Sequence, residues 1–381
     1  MKIMSVVGAR PNFMKIAPFV RAIRHQPREG SSQSVEHILV HTGQHYSPDM
    51  SEVFFQELGI PAPDVNLEVG SGSHAYQLGQ TMIAFEKPLL ELKPDWVIVI
   101  GDVNATAACS LTARKHQVAV AHIEAGLRSK DWSMPEEINR VVTDRLSNLL
   151  FTPDYLADEN LRREGAADTS ICRVGNIMID TLEFERGRAA TFDPQRILSE
   201  NAFTTNATAP HLSANNYAIV TLHRPSNVDT VETLAPLVDV LRQISRSLPV
   251  IFSVHPRTRA HLVEFGLWDQ LNQPPAIFLV KPLSYHEMLR LNMEARLVLT
   301  DSGGLQEECT VLGTHCLTLR TNTERPITGV EHGGTNRLVG NQPERILHAF
   351  QSVLPEPRRP FRPEFWDGHT AERILTRLLA G

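Results

Sequence analysis

Cysteine is scarce in this chain of 381 residues, which has only Cys109, Cys172, Cys309 and Cys316. Four cysteines in so long a chain make no disulfide framework. None of their gaps has the close-pair spacing of a zinc site, so free, buried thiols and no metal are expected. No run approaches the roughly 18 apolar residues that cross a bilayer. The apolar start of the chain is broken by Arg10 and Pro11 too early for a signal peptide. A cytoplasmic protein without a membrane partner is the expectation. An excess of positive charge is also missing. The net charge is −6 and the Lys and Arg residues are scattered, which gives no support for a nucleic-acid partner. No G-x-G-x-x-G follows the first apolar run, so a dinucleotide redox cofactor gains no support either.

What is present is enough apolar material, 42% of residues, to bury a core in each of two domains. Short apolar runs of strand length fall at residues 3–7, 37–41, 96–100, 118–123, 149–152 and 170–174, and again at 217–222, 250–254, 277–280, 297–299 and 315–319. Helix-forming segments separate them, among them 13–25, one ending at residue 58, 75–92, 135–146, 178–188 and 370–379. Such alternation predicts an α/β protein of two Rossmann-like, doubly wound parallel sheets, with ligand in the cleft between their carboxyl edges. The expected division is 1–180 and 181–367, with 368–381 free to pack back on the first part. Residues 189–216 read as loop-rich, and the glycine-rich residues 329–340 as a mobile loop or clamp.

Residues 297–308 are the most informative stretch. An apolar run stops at Asp301-Ser302, passes Gly303 and Gly304, and enters a segment rich in Gln and Glu. In a strand, turn and helix unit, side-chain-free glycines let backbone amides approach an anion at the positive end of the new helix. Ser302 adds a hydroxyl. Glu308, about one turn further, can accept hydrogen bonds from vicinal hydroxyls such as those of a ribose. A nucleotide diphosphate fits this unit; the plainer alternative makes Asp-Ser a helix cap.

Cations and acids gather at other strand ends. Arg10 lies in the turn after the first strand, where a guanidinium can grip phosphate through two hydrogen bonds. Lys15 either faces the same cleft or is a solvated surface charge. Two later strands deliver His223-Arg224 and His255-Pro256-Arg257. Asp102, Glu124 and Glu136 fall at loops or helix starts on one predicted sheet edge, the grouping that acid/base chemistry calls for. Helix capping competes as the role of Asp102, and a favourable first-turn position as that of Glu136.

Taken in order, Gly8-Ala9-Arg10-Pro11, Glu124-Ala125-Gly126-Leu127-Arg128, Pro135-Glu136-Glu137-Ile138-Asn139-Arg140, His223-Arg224, residues 301–308 and Thr323-Glu324-Arg325-Pro326 resemble the non-hydrolysing UDP-N-acetylglucosamine 2-epimerases. The match spans almost the whole chain. The resemblance implies the glycosyltransferase-B arrangement of two Rossmann-like domains, a homodimer, and interconversion of UDP-GlcNAc and UDP-ManNAc with no redox cofactor. It makes Arg10, His223, Ser302, Gly303 and Gly304 phosphate ligands and Glu308 the ribose ligand, and it brings Met288 to uracil through its backbone. Asp102, Glu124, Glu136 and His223 become the catalytic candidates, with Lys15 in the cleft. Gln44 and His45 match a pair used in the allosteric substrate site of some members, but Ser47 replaces a second Gln and residues 68–74 carry no Arg. The stretch 41–61 also resembles the branch that acts on UDP-diacetamido-uronic acids. A UDP-sugar-dependent glycosyltransferase, a non-catalytic UDP-sugar sensor and a hydrolysing epimerase are the alternatives.

Overall fold

A computed structural model describes residues 1–8, 10–25, 34–43, 57–203, 209–273 and 277–380, with the side chains of Arg10 and Pro11 outside that description. The chain forms two compact units, one of residues 1–181 with 363–381 and the other of residues 182–362.

The first unit holds a seven-stranded sheet of β1 (Lys2–Val7), β2 (Glu36–His41), β3 (Val65–Asn66), β4 (Trp96–Ile100), β5 (Ala119–Ile123), β6 (Leu149–Thr152) and β7 (Ile171–Arg173). Every pairing is parallel, and the order is β3-β2-β1-β4-β5-β6-β7. The second unit repeats the plan with β8 (Ala218–Thr221), β9 (Val250–Ser253), β10 (Phe278–Val280), β11 (Leu297–Thr300), β12 (His315–Thr318) and β13 (Asn336–Leu338). Its order is β10-β9-β8-β11-β12-β13, again all parallel. The expected doubly wound α/β class is what both sheets show. Each order reverses direction at one point, between β1 and β4 and between β8 and β11, where the carboxyl ends of neighbouring strands diverge and leave a crevice.

The near-continuous apolar runs follow from burial on both faces. In β8 and β11, Ala218, Val220, Leu297 and Leu299 enter one core cluster, whereas Ile219 and Val298 enter the cluster on the opposite face. Met4, Val6, Val97, Val99 and Val120 pack likewise against Phe85, Leu89 and Cys109. Each fully buried aliphatic chain contributes about 1.5–3 kcal/mol, so strand register is strongly enforced.

Several boundaries differ from expectation. The first helix spans Arg10–Arg24 and starts three residues early, because Pro11 is accommodated in its first turn, where no intrahelical N–H is required. The stretch 189–216 contains the helix Pro194–Asn201, capped by the Asp193 carboxylate, which accepts from the Gln195 N–H at 3.0 Å. Residues 329–340 are not a loop or clamp throughout, since they hold β13, paired to β12. The helix expected to end at residue 58 and the pair Gln44 and His45 lie outside the described residues, apart from the end of the former. No helix among the described residues is long and apolar enough to cross a membrane.

Candidate functional site

In the first unit, β1 ends at Gly8, whose N–H donates to Asn12 Oδ1 at 3.2 Å, while Asn12 Nδ2 donates to the Ile100 carbonyl at 2.9 Å. One buried amide thus ties together the two strand ends that flank the crevice. Arg10 opens the helix that begins there. One turn later Lys15 is buried rather than solvated, and its Nζ pairs with Glu124 Oε2. Glu124 Oε1 is also buried and has no hydrogen-bond partner among the described residues. A carboxylate half-gripped and half-bare is unusual, since buried polar atoms are nearly always paired.

Glu124 adopts φ 72°, in the left-handed region that side chains disfavour. Beneath it, Gly101 has φ +69°, and a Cβ there would lie 3.1 Å from Lys15 Nζ and 3.4 Å from Glu124 Oε2. Glycine therefore leaves the room in which the ion pair sits. Asp102 follows, about a quarter exposed, with its carboxylate paired to Arg140 and its carbonyl accepting from Asn139 Nδ2 at 2.9 Å. It does not cap the helix Asn104–Lys115, which has no side-chain cap.

Glu136 and Glu137 share the first turn of the helix Pro135–Leu146 but not a role. Glu137 is buried and accepts from the Ser129 N–H (2.9 Å), Ser129 Oγ (3.0 Å) and Lys130 N–H (2.8 Å), as well as from Arg140. Burial opposes its ionisation, yet those donors hold its carboxyl below the usual range. Glu136 is half-buried, and no hydrogen bond or ion pair among the described residues occupies it.

In the second unit, the tip of β11 overturns the helix-cap alternative. Asp301 is fully buried and accepts from the His223 N–H (3.0 Å), the Arg224 N–H (2.8 Å) and Asn227 Nδ2 (3.1 Å), and it pairs with His223 Nδ1 at 2.7 Å. Burial alone would raise its carboxyl, but the His223 contacts and backbone donors hold it below the usual range. Sequence reasoning missed this role. His223 is consequently oriented with Nδ1 inward and Nε2 turned away, while its side chain is 40% exposed.

Ser302 stands at the N-cap position of the helix Gly303–Leu312, but its hydroxyl makes no capping bond. Among the described residues, the first amides of that helix therefore have no N-cap side-chain partner at the positive end of its dipole. A Cβ at Gly303 would fall 2.6 Å from Arg325 Nη1 and 2.7 Å from Glu324 Oε1. The Thr323-Glu324-Arg325-Pro326 segment thus braces the helix start, with Arg325 held by Glu307 at 2.8 Å. Met288 lies within the helix Tyr285–Glu294, and its N–H is already given to the Ser284 carbonyl at 3.0 Å. A base could meet its carbonyl or side chain, but not that donor.

Glu308 is buried, and its pKa is pushed up to about 7, chiefly by burial, with the nearby Tyr285 hydroxyl opposing and Glu307 adding to the rise. An acid whose folded pKa is raised stabilises the fold fully below its ordinary value, and that contribution is lost as pH climbs towards 7. Glu308→Gln should therefore raise Tm at pH 8, by the equivalent of on the order of 3 kcal/mol, and change it little at pH 4. Thermal melts at the two pH values check this; equal Tm differences at both would refute it.

A second set of residues was not anticipated. His122, on β5, is completely buried, with Nδ1 2.6 Å from Asp144 Oδ1 and Nε2 2.8 Å from the Gly101 carbonyl. The signal was a polar residue inside an otherwise apolar strand that is buried on both faces. Among the described residues, no group of three or more His, Cys, Asp or Glu is placed to hold a metal ion.

Known proteins resemble this chain over its whole length. The family model described as UDP-N-acetylglucosamine 2-epimerase matches residues 29–379. The UDP-N-acetylglucosamine 2-epimerase of Methanocaldococcus jannaschii is 41% identical over 383 residues, covering 100% of both chains. A UDP-2,3-diacetamido-2,3-dideoxy-D-glucuronate 2-epimerase of Pseudomonas aeruginosa is 36% identical, covering 99% of each. A crystal structure of the M. jannaschii UDP-GlcNAc 2-epimerase in complex with UDP-GlcNAc and UDP superposes with TM-score 0.87 at 40% identity, covering both chains completely.

Proposed function

The chain belongs to the UDP-N-acetylglucosamine 2-epimerase family, and on that premise we propose that it is an isomerase that reversibly inverts carbon 2 of UDP-N-acetylglucosamine, giving UDP-N-acetylmannosamine. Carbon 2 of the sugar has no neighbouring carbonyl, so its proton resists direct removal. Elimination solves this. As the bond from carbon 1 to UDP breaks, positive character at carbon 1 acidifies that proton, and a carboxylate takes it to leave a glycal and UDP. Re-addition of UDP, with protonation of the opposite face, completes the inversion. The sequence is redox-neutral.

The observation that carries this reading beyond family membership is Glu124, with one oxygen gripped by Lys15 and the other buried and bare. It is our choice for a proton-transfer group, with Asp102 as the other acid/base group and Glu136 as their partner. Departure of UDP builds charge on the diphosphate. His223, the Ser302 hydroxyl and the amides of Gly303 and Gly304, with Arg10, are proposed to stabilise it. In support, the helix start has no side-chain cap from Ser302, so its first amides would not have to give up that partner to bind an anion. Glu308 is proposed to hold the ribose and Met288 to meet the uracil.

The deciding experiment is incubation with UDP-GlcNAc alone in heavy water, followed at carbon 2 by NMR. Deuterium at carbon 2, with the UDP linkage retained in both epimers, is expected. A sensor, or a transferase lacking its acceptor, gives no exchange; a hydrolysing enzyme accumulates free UDP; exchange confined to a UDP-diacetamido-uronate would move the substrate assignment.

We further propose a cytoplasmic homodimer. On the helix His74–Leu92, Tyr76, Ile83 and Leu90 are exposed at intervals of seven, an apolar stripe of the kind that a second copy covers. A monomer mass in analytical ultracentrifugation would rule out the dimer, and activity in the membrane pellet on cell fractionation would rule out the location.

A further inference from the structure

Glu124, Ala125 and Gly126 form a turn with two left-handed residues, φ 72° at Glu124 and φ 82° at Gly126. A left-handed non-glycine residue costs roughly 1–2 kcal/mol and persists only where its surroundings over-determine it. The surroundings that do so are buried and polar. Asp144, in the last turn of the helix Pro135–Leu146, accepts from the Gly126 N–H at 3.0 Å through Oδ2, and the same oxygen meets Arg128 Nη1 at 2.7 Å. Its other oxygen meets His122 Nδ1, and His122 Nε2 reaches the Gly101 carbonyl one residue before Asp102. Both ring nitrogens face acceptors, so each is placed to donate. Arg128 is in turn paired with Glu164 at 2.6 Å.

The same helix makes two further contacts with the Asp102 loop, from Asn139 to its carbonyl and from Arg140 to its carboxylate, and it carries Glu136 in its first turn. All three candidate acids are thus referenced to one rigid element. We infer that His122 and Asp144 are positioning residues which, bridging the strand-end loops of β4 and β5, set the Asp102 and Glu124 carboxylates at the spacing that proton transfer at carbon 2 requires. This rests on the epimerase reading given above. It assigns His122 no contact with substrate; its effect is carried by Gly101 and Asp144.

A displacement of about 1 Å at the reacting groups can cost a hundredfold in rate while leaving ground-state binding intact. His122→Gln and Asp144→Asn should therefore each lower kcat for carbon-2 exchange by about a hundredfold, with KM for UDP-GlcNAc and Kd for UDP changed by no more than roughly twofold. A purely structural role would reduce the fraction of UDP-competent protein, counted by calorimetric stoichiometry, with kcat per competent molecule unchanged. That result, or wild-type kcat, would overturn the inference. Should neither variant fold, 15N-histidine-labelled wild-type protein tests the bridge directly: two ring N–H protons on His122 are expected, and a bare ring nitrogen there would overturn it. Absence of exchange in the wild type would instead sink the epimerase reading, and the NMR result would still report on the bridge.

Discussion

Glu124→Gln is expected to lower deuterium incorporation at carbon 2 of UDP-GlcNAc by about a hundredfold to ten-thousandfold, the range over which positioned acids and bases contribute. The substitution keeps the shape of the side chain and its tolerance of the left-handed backbone, but an amide cannot accept the proton. It also strands the buried Lys15 ammonium, whose counterion is this carboxylate. Removing one member of a buried ion pair typically costs about 3–5 kcal/mol, so Tm should fall as well. Rate and stability can be separated. Adding Lys15→Met to Glu124→Gln removes the stranded charge and should recover much of the lost Tm, with none of the lost rate. Calorimetric titration should find UDP affinity close to that of the parent. Near-normal exchange in the single variant would remove Glu124 from the chemistry.

Asp301→Ala should be nearly as damaging for a different reason. Its carboxylate serves two backbone N–H groups, Asn227 Nδ2 and His223 Nδ1 from a fully buried position. Each buried donor left unpaired costs about 1–3 kcal/mol, so a marked fall in Tm is expected. His223 also loses the partner that aims its outer nitrogen. If that nitrogen meets the departing diphosphate, kcat should drop about a hundredfold, as when one oriented donor is removed, and UDP should bind more weakly. Asp301→Asn keeps one oxygen acceptor and should fall between the two. Steady-state kinetics with UDP titrations decide the matter, and an Ala variant that is less stable yet fully active would show that Asp301 only holds the loop.

Much of this was legible in the residues. Apolar runs bounded by glycine and proline marked the long central strands, because parallel strands covered on both faces must be apolar throughout. Val65–Asn66 and Asn336–Leu338 escaped notice because each is two or three residues long and lies at a sheet edge, where half the environment is solvent and the apolar signal fades. Candidate acids were visible as residue types at strand ends, but which of two adjacent glutamates turns inward was not. Glu137 takes the buried structural position and Glu136 does not, a difference of about 100° in helical phase that no local pattern reveals. For Asp301 the residues offered only the alternative of a cap, because Asp-Ser before glycine is a common helix start; its partners are 74 to 78 positions away. His122 and Asp144 are separated by 22 positions and meet only once β5 and the helix after it have folded together.

The last segment of the chain belongs to the first unit rather than to the one that precedes it. Trp366 Nε1 donates to the Pro153 carbonyl at 2.9 Å, and the Asp180 carboxylate accepts from the N–H groups of Thr370 and Ala371 at 3.0 and 2.7 Å. During translation this segment leaves the ribosome only after all of residues 182–362. The unit that is begun first therefore cannot be completed until the whole of the second has emerged, whereas residues 182–362 emerge as one uninterrupted stretch.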